Sequence, residues 1–253
     1  MLAAEFSLKG RTALVTGGSR GIGAAVVEIL TFYGAQVVFC HLGDATRASA
    51  LIARLSGEGL SVSQMEADVA DEVAVGMLAT WAVERLGHID ILVNCAGVGG
   101  GAPFTNLTVA AWDRMINVHL RGTFLVTRAF FAGMVERRFG RIINISSQLS
   151  YKGAPELAHY CAAKAGIVGF TRALSHEGAP HGVLVNAVAP GPVETELLNE
   201  MSEEWRAAKR KQLPLGRFGQ VAEVAPTVLL LASDAGSFYV GQTLSPNGGD
   251  VML

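Results

Sequence analysis

Tyr160 and Lys164 stand four residues apart in a stretch, residues 155–178, that contains a long helical pattern. At that spacing two side chains share one helix face. A free phenol titrates near ~10 and is a poor proton shuttle at neutral pH. An ammonium beside it favours the phenolate and lowers that value, at about 1.4 kcal/mol per unit between the two protonation states. A tyrosine tuned in this way gives a proton to a nascent alkoxide or takes one from an alcohol. A Tyr/Lys pair alone is also an ordinary surface contact. Ser147 lies 13 residues before Tyr160, at the end of a strand pattern over residues 141–146. Ligands of open α/β sheets bind beyond the carboxyl ends of strands. Ser146 competes with Ser147 for that place, and either serine also suits a plain turn cap.

A second constellation opens the chain. A strand pattern over residues 12–16 runs directly into Thr16-Gly17-Gly18-Ser19-Arg20-Gly21-Ile22-Gly23, and a helix pattern follows. Glycines there permit a tight turn, close approach of a pyrophosphate to the backbone, and close helix–strand packing. The free N–H groups and dipole of the helix N-terminus attract phosphate. The spacing is G-x-x-x-G-x-G rather than the common G-x-G-x-x-G. In an NAD site an acidic residue near the end of the second strand accepts the ribose hydroxyls. His41 holds that place here, and Asp44 comes three residues later. Arg20, inside the turn, suits a 2′-phosphate. NADP(H) is therefore expected in preference to NAD(H), although Arg20 and His41 also read as a solvated turn residue and a surface histidine.

The elements that must position these groups alternate. Strand patterns cover residues 12–16, 36–40, 61–65, 89–94, 141–146, 183–188 and 243–245. Helical patterns lie between them, including one from 108 to about 138 broken near Arg121-Gly122, and one over 196–212. Strand–helix–strand repetition implies parallel pairing through right-handed crossovers. Near-continuous apolar strands imply a sheet covered on both faces. No linker or composition shift divides the chain, so 1–253 reads as a single domain.

Composition narrows the classes. Of 253 residues half are hydrophobic and 17% charged, which supports a large core. A formal net charge of −2 gives no basic excess for neutralising a nucleic-acid backbone. No apolar stretch reaches the ~20 residues of a membrane span, and the first ten residues lack a secretory pattern. Three scattered cysteines form no CxxC pair or zinc-ligand cluster, so no metal is expected and reduced thiols in the cytoplasm fit best.

Taken in order, the glycine turn, Asp68-Val69, Asn94-Cys95-Ala96-Gly97, Asn117-Val118, Ser146-Ser147, Tyr160-Cys161-Ala162-Ala163-Lys164, Pro190-Gly191 and Asn247-Gly248-Gly249 resemble the short-chain dehydrogenase/reductase family, in its 3-oxoacyl-carrier-protein reductase-like branch. The resemblance spans nearly the whole chain. Cys95 departs from it, where asparagine is usual, and so does Pro246-Asn247, where Val-Asp is frequent. It implies an α/β fold, a three-layer Rossmann-like doubly wound parallel sheet of about seven strands with helices on both faces.

The resemblance further implies a catalytic set of Asn117, Ser147, Tyr160 and Lys164. Ser147 would hold the substrate oxygen, Tyr160 exchange the proton, Lys164 hold the nicotinamide ribose, and Asn117 hold a relay water. Implied cofactor contacts are Gly17, Ser19, Arg20, Gly21, Ile22, Gly23, His41, Asp68, Val69, Asn94, Ala96, Gly97, Pro190, Gly191, Val193 and Thr195, with Tyr160 and Lys164. Gln148, Leu149, Tyr151 and Pro155 would edge the substrate pocket. Leu197, Leu198, Met201 and Trp205 would lie in a segment that closes over it. The expected reaction is reduction of a ketone or other carbonyl to a secondary alcohol, reversibly, by a homotetramer acting on a small molecule. Arg137 and Arg138 would offer a basic rim to an acidic carrier protein, but the segment near His181 lacks a matching arginine, so a free ketone stands beside the carrier-bound one. Two other readings remain open. One is an NAD-dependent secondary alcohol dehydrogenase with Asp44 or backbone groups on the ribose. The other is a dinucleotide-binding protein without catalysis, against which the presence of Ser147, Tyr160 and Lys164 argues.

Overall fold

The computed structural model describes residues 4–199 and 201–252. Seven parallel strands form one sheet in the order β3-β2-β1-β4-β5-β6-β7. They are β1 (Thr12–Thr16), β2 (Gln36–His41), β3 (Val62–Glu66), β4 (Ile91–Asn94), β5 (Gly140–Ile145), β6 (Val183–Val188) and β7 (Thr243–Leu244). The order reverses between β1 and β4, whose ends are in register at Thr16 and Asn94. A crevice opens at such a reversal, outside the carboxyl ends of the strands.

Side chains alternate between two apolar layers. Ala13, Val15, Val37, Phe39, Ile91 and Val93 face one layer, packed on α1 (Gly21–Phe32), α2 (Ala45–Gly57) and α10 (Val221–Ala232). Leu14, Val38, Cys40, Leu92 and Ile142 face the other, against α3 (Glu72–Leu86) and α5 (Gly122–Arg137). Burial on both faces is why the strands read as apolar runs. Each fully buried Leu or Ile contributes about 1.5–3 kcal/mol relative to exposure.

Two helical stretches differ from the sequence pattern. The stretch from Thr108 is α4 (Val109–Ile116), then a π turn over Asn117–Arg121, then α5. A Cβ on Gly122 would lie 2.8 Å from the Val69 side chain, and Thr123 Oγ1 donates to the His119 carbonyl at 2.7 Å. The helix widens by one residue where it meets Val69. The stretch over 196–212 is two helices, α8 (Glu196–Asn199) and α9 (Glu203–Gln212). Ser202 starts the second by accepting from the Trp205 N–H at 3.2 Å, and Lys209, Arg210 and Lys211 complement its carboxyl end. The remaining helices are α6 (Leu149–Lys152) and α7 (Ala158–Gly178). No helix among the described residues is long and apolar enough to cross a membrane.

The turn between β1 and α1 leaves no space for side chains. A Cβ on Gly23 would sit 2.0 Å from the Gly17 carbonyl oxygen, a contact no rotamer relieves. Gly23→Ala is expected to open this turn and weaken dinucleotide binding at least ~10-fold, read by fluorescence titration, with a lowered melting temperature.

Candidate active site

The loops at the carboxyl edge of the sheet build the site. In the first, Gly17 adopts φ +66°, and a Cβ there would meet the Ala96 Cα at 2.8 Å. Thr16 Oγ1 accepts from the N–H groups of Cys95 and Ala96 at 3.0 and 3.1 Å, which ties the ends of β1 and β4 together. The side chain of Arg20, at the N-cap of α1, makes no capping bond. The Thr195 methyl lies 3.7 Å from where a Gly21 Cβ would project. A backbone stripped of side chains at a helix N-terminus fits a pyrophosphate, so the residues present suit a dinucleotide.

Beside this turn the expected adenosine contacts divide. Ser19 Oγ donates to Asp44 at 2.7 Å, and Arg47 donates to the same carboxylate at 3.0 Å. Burial would raise the Asp44 pKa, but these two bonds favour the ionised carboxylate and hold it below the usual carboxylate range. His41 differs from expectation. Its ring is 3% exposed, Nδ1 accepts from the Asp44 N–H at 3.3 Å, and Nε2 donates to Gln64 at 2.7 Å. Neither ring nitrogen is left for a ligand, and the histidine supports the loop that carries Asp44. The Asn94 amide nitrogen donates to Thr127 at 3.0 Å and Asn144 at 2.8 Å, while its Oδ1 is buried without a hydrogen-bond partner. Asp68 accepts from the Ala70 N–H at 2.8 Å, and Val69 is buried. Gly97 is held tight: a Cβ would fall 2.5 Å from the His119 ring.

Another loop follows β5. Ser146 Oγ donates to the Lys164 carbonyl at 2.8 Å, so its hydroxyl proton is engaged with α7. Ser147 Oγ accepts from the Leu149 N–H at 3.1 Å, and its hydroxyl faces the Tyr160 phenol and favours the phenolate. Lys164 is 4% exposed, and its Nζ donates to the Ile145 carbonyl at 2.7 Å and lies 5.6 Å from the Tyr160 ring centre. Burial lowers the lysine from its usual 10.5 to about 8. Burial also raises Tyr160, while the Ser147 hydroxyl pulls the other way. The expected depression of the phenol by Lys164 is therefore not what this arrangement gives. Desolvation disfavours both charged forms and keeps the phenol protonated.

Asn117 is exposed at the start of the π turn. The residue that the turn brings to the site is His119, which sequence reasoning passed over. It is 3% exposed, its ring meets Tyr160 edge-on at 5.4 Å between centres, and its Nε2 lies 2.9 Å from the Val98 carbonyl. Its Nδ1 is buried without a hydrogen-bond partner. Burial, then the charge of Lys164, holds His119 down at about 3, so the ring is neutral.

The expected substrate wall is partly present. Gln148 is buried, its N–H donates to the Pro190 carbonyl at 3.0 Å, and its side-chain amide donates to Asp250. Asp250 also pairs with Lys152 at 2.7 Å and Lys209 at 2.8 Å. This joint ties the wall, α9 and the chain's last residues together, and no local motif signals it. Leu149 and Tyr151 are half-buried and Pro155 is exposed. Leu198 packs on Leu213 and Phe218, while Met201 and Trp205 are largely exposed. The side chain of Leu197 lies outside the described residues. Pro190-Gly191 packs under the tail, where a Gly191 Cβ would meet the Asn247 Cα at 2.6 Å, and Val193 is buried beside Gly219. Arg137 donates to the Ile89 carbonyl at 2.8 Å and Arg138 to Pro180 at 3.2 Å. Within this chain both lie at the amino edge of the sheet, opposite Ser147 and Tyr160, and do not rim the site.

A family model described as enoyl-(acyl carrier protein) reductase matches residues 17–250. A 3-oxoacyl-(acyl-carrier-protein) reductase of Aquifex aeolicus is 38% identical, over 97% of this chain and 99% of its own. An acetoacetyl-CoA reductase of Allochromatium vinosum is 41% identical, over 94% and 98%. Among solved structures, a gluconate 5-dehydrogenase of Burkholderia cenocepacia in complex with NADP and tartrate superposes with a TM-score of 0.92 at 35% identity, over 97% of both chains. A short-chain dehydrogenase/reductase of Serratia marcescens, a double mutant, superposes at 0.89 with 34% identity, over 96% and 98%. The chain belongs to the short-chain dehydrogenase/reductase family and is an NAD(P)-dependent oxidoreductase.

The depressed Lys164 gives a signed pH dependence. Below about 8 the ammonium is charged in both the folded and unfolded chain, so the full burial penalty is present. Between about 8 and 10.5 only the unfolded chain holds the proton, and stability rises with pH. The unfolding free energy of the wild type minus that of Lys164→Met should increase across this window by up to about 3 kcal/mol, measured by urea denaturation at each pH.

Proposed function

We propose that this protein reduces a ketone to a secondary alcohol with NADP(H), reversibly, with Tyr160 as the proton donor and acceptor. The observation that carries the reading is the placement of Tyr160 beside a buried Lys164 whose Nζ is fixed on the Ile145 carbonyl at the end of β5, next to Ser147, with a phenol that burial keeps protonated. A protonated phenol beside a serine hydroxyl suits the reductive direction, because the developing alkoxide needs a proton and two donors. The nicotinamide, when bound, supplies the hydride. Ser147 and Tyr160 orient and polarise the carbonyl oxygen, and Tyr160 then yields its hydroxyl proton to it. Lys164, fixed on the Ile145 carbonyl, stands under the tyrosine and favours its return from phenolate to phenol through its own proton. His119, neutral and packed on the Tyr160 ring, takes the supporting place expected for Asn117.

Relatives named as reductases of 3-oxoacyl and acetoacetyl groups support a β-ketone as the substrate class. The location of Arg137 and Arg138 supports a free ketone over one delivered by a carrier protein docked on the same chain. Exposed Val109, Trp112 and Phe124 on α4 and α5 support a homotetramer, and the reading keeps the protein cytoplasmic. Asp44, ionised beside Ser19, favours a second reading: an NAD(H)-dependent alcohol dehydrogenase in which this carboxylate accepts the ribose hydroxyls.

Titration with NADPH and NADH, followed by loss of absorbance on adding ketones and β-ketoesters, separates the two. Tighter NADPH binding with turnover of a β-ketoester is the expected result. Tighter NADH binding transfers the cofactor role to Asp44, and turnover of no ketone by either cofactor sinks the reductase reading. In the same assay His119→Ala is expected to lower kcat ~10-fold or more, well beyond the effect of Asn117→Ala.

A further inference from the structure

The chain's last turn reaches back to the substrate side through one carboxylate. Asp250 Oδ2 accepts from Lys152 Nζ at 2.7 Å and from the Gln148 side-chain amide, and Oδ1 accepts from Lys209 Nζ at 2.8 Å. Gln148 follows Ser147, Lys152 ends α6, and Lys209 lies in α9. The carboxylate is 6% exposed and Lys209 13%. Every residue of α6 and of α9 is at least partly exposed, so polar ties carry much of the hold on both elements. Arg206 ties the start of α9 to Glu194 at 2.8 Å, and Lys209 ties its second half to Asp250.

The tail is the fixed side of this joint. Asn247 donates to the Val251 carbonyl at 2.8 Å and accepts from the Gly249 N–H at 2.8 Å, which folds residues 247–251 into one turn. Ser245 Oγ donates to the Ala189 carbonyl at 2.7 Å, and the Gly191 N–H donates to the Pro246 carbonyl at 3.1 Å, fastening that turn to the loop after β6. Burial would raise Asp250, but its bonds to Lys152, Lys209 and Gln148 hold it below the usual carboxylate range, so it is ionised. Removing one partner of a largely buried ion pair leaves the other charge uncompensated. Without the carboxylate, Lys209 and Lys152 must turn to water, carrying α9 and the end of α6 with them.

We propose that Asp250 is a positioning residue for the substrate: it holds α6 and α9 to one another beside Ser147, so that the far end of the chain sets how closely the pocket fits a ketone. The proposal rests on the reductase reading, which puts the substrate oxygen on Ser147 and Tyr160 with α6 and α9 around the rest. The reacting groups and the cofactor cradle do not depend on this joint. Ser146 and Lys164 fix the end of β5 to α7, and the glycine turn lies at the end of β1. Loss of the joint therefore weakens ketone binding and spares the chemical step and the cofactor.

The test compares KM and kcat for the best ketone, and NADPH affinity, in the wild type, Asp250→Asn, Lys209→Met and the double variant. Asp250→Asn should raise KM ~10-fold, with kcat within ~3-fold and NADPH affinity unchanged. Because the two residues act as one joint, the double variant should be no worse than Asp250→Asn. Hydrogen exchange on the same proteins should be faster over residues 149–152 and 203–212 of Asp250→Asn and unchanged over β5. An unchanged KM, a KM rise that is additive in the double variant, or a joint loss of kcat and NADPH affinity overturns the positioning role while leaving the reductase reading standing. A wild type that reduces no ketone overturns that reading and the substrate role with it, and unchanged exchange overturns the joint itself.

Discussion

A lysine ammonium held out of water at the end of β5 is the constraint on which the site depends. Removing a charge from water is costly unless it is hydrogen-bonded, and Lys164 meets the cost with the Ile145 carbonyl, the last residue of the strand. The lysine's own carbonyl is tied back by Ser146. The end of β5 and the middle of α7 are thus joined twice within one turn of helix. That double joint places Tyr160, one turn earlier on α7, over Ser147, one residue beyond Ser146. The reacting pair needs no further device to find its geometry.

The same edge of the sheet carries the cofactor end. The reversal of strand order between β1 and β4 opens the crevice, and Thr16 holds it to width by bonding the backbone of Cys95 and Ala96. Glycines let backbone take the places side chains would fill. His41 and Asn94 frame the cradle from below, with hydrogen bonds spent on Gln64, Thr127 and Asn144. Groups that line a site and groups that hold it rigid are here different residues, although both carry the marks of a motif.

What the sequence made legible was local. The glycine turn, the Ser147–Tyr160–Lys164 spacing and all seven strands within two residues at either end depend on neighbours in the chain, and the seven-stranded sheet followed from their alternation. What it hid depended on distance or helix phase. The π turn between α4 and α5 presents the His119 ring to Tyr160, a contact that no local motif signals. The Nε2 partner of His41, Gln64, lies on β3, and Asp250 meets Gln148 across 102 residues. The direction in which Tyr160 shifts was hidden for the same reason. Spacing shows that a lysine is near, but the water excluded by the converging loops decides whether the phenol is raised or lowered.

The proposed reduction depends on a phenol that burial keeps protonated until a carbonyl oxygen takes its proton. The most direct test is turnover of the best ketone by Tyr160→Phe, with NADPH affinity measured on the same preparation. Loss of turnover by ~1,000-fold, at unchanged affinity, is the result the geometry predicts. Turnover within a few-fold of the wild type would contradict it, because the proton would then reach the substrate oxygen by another route.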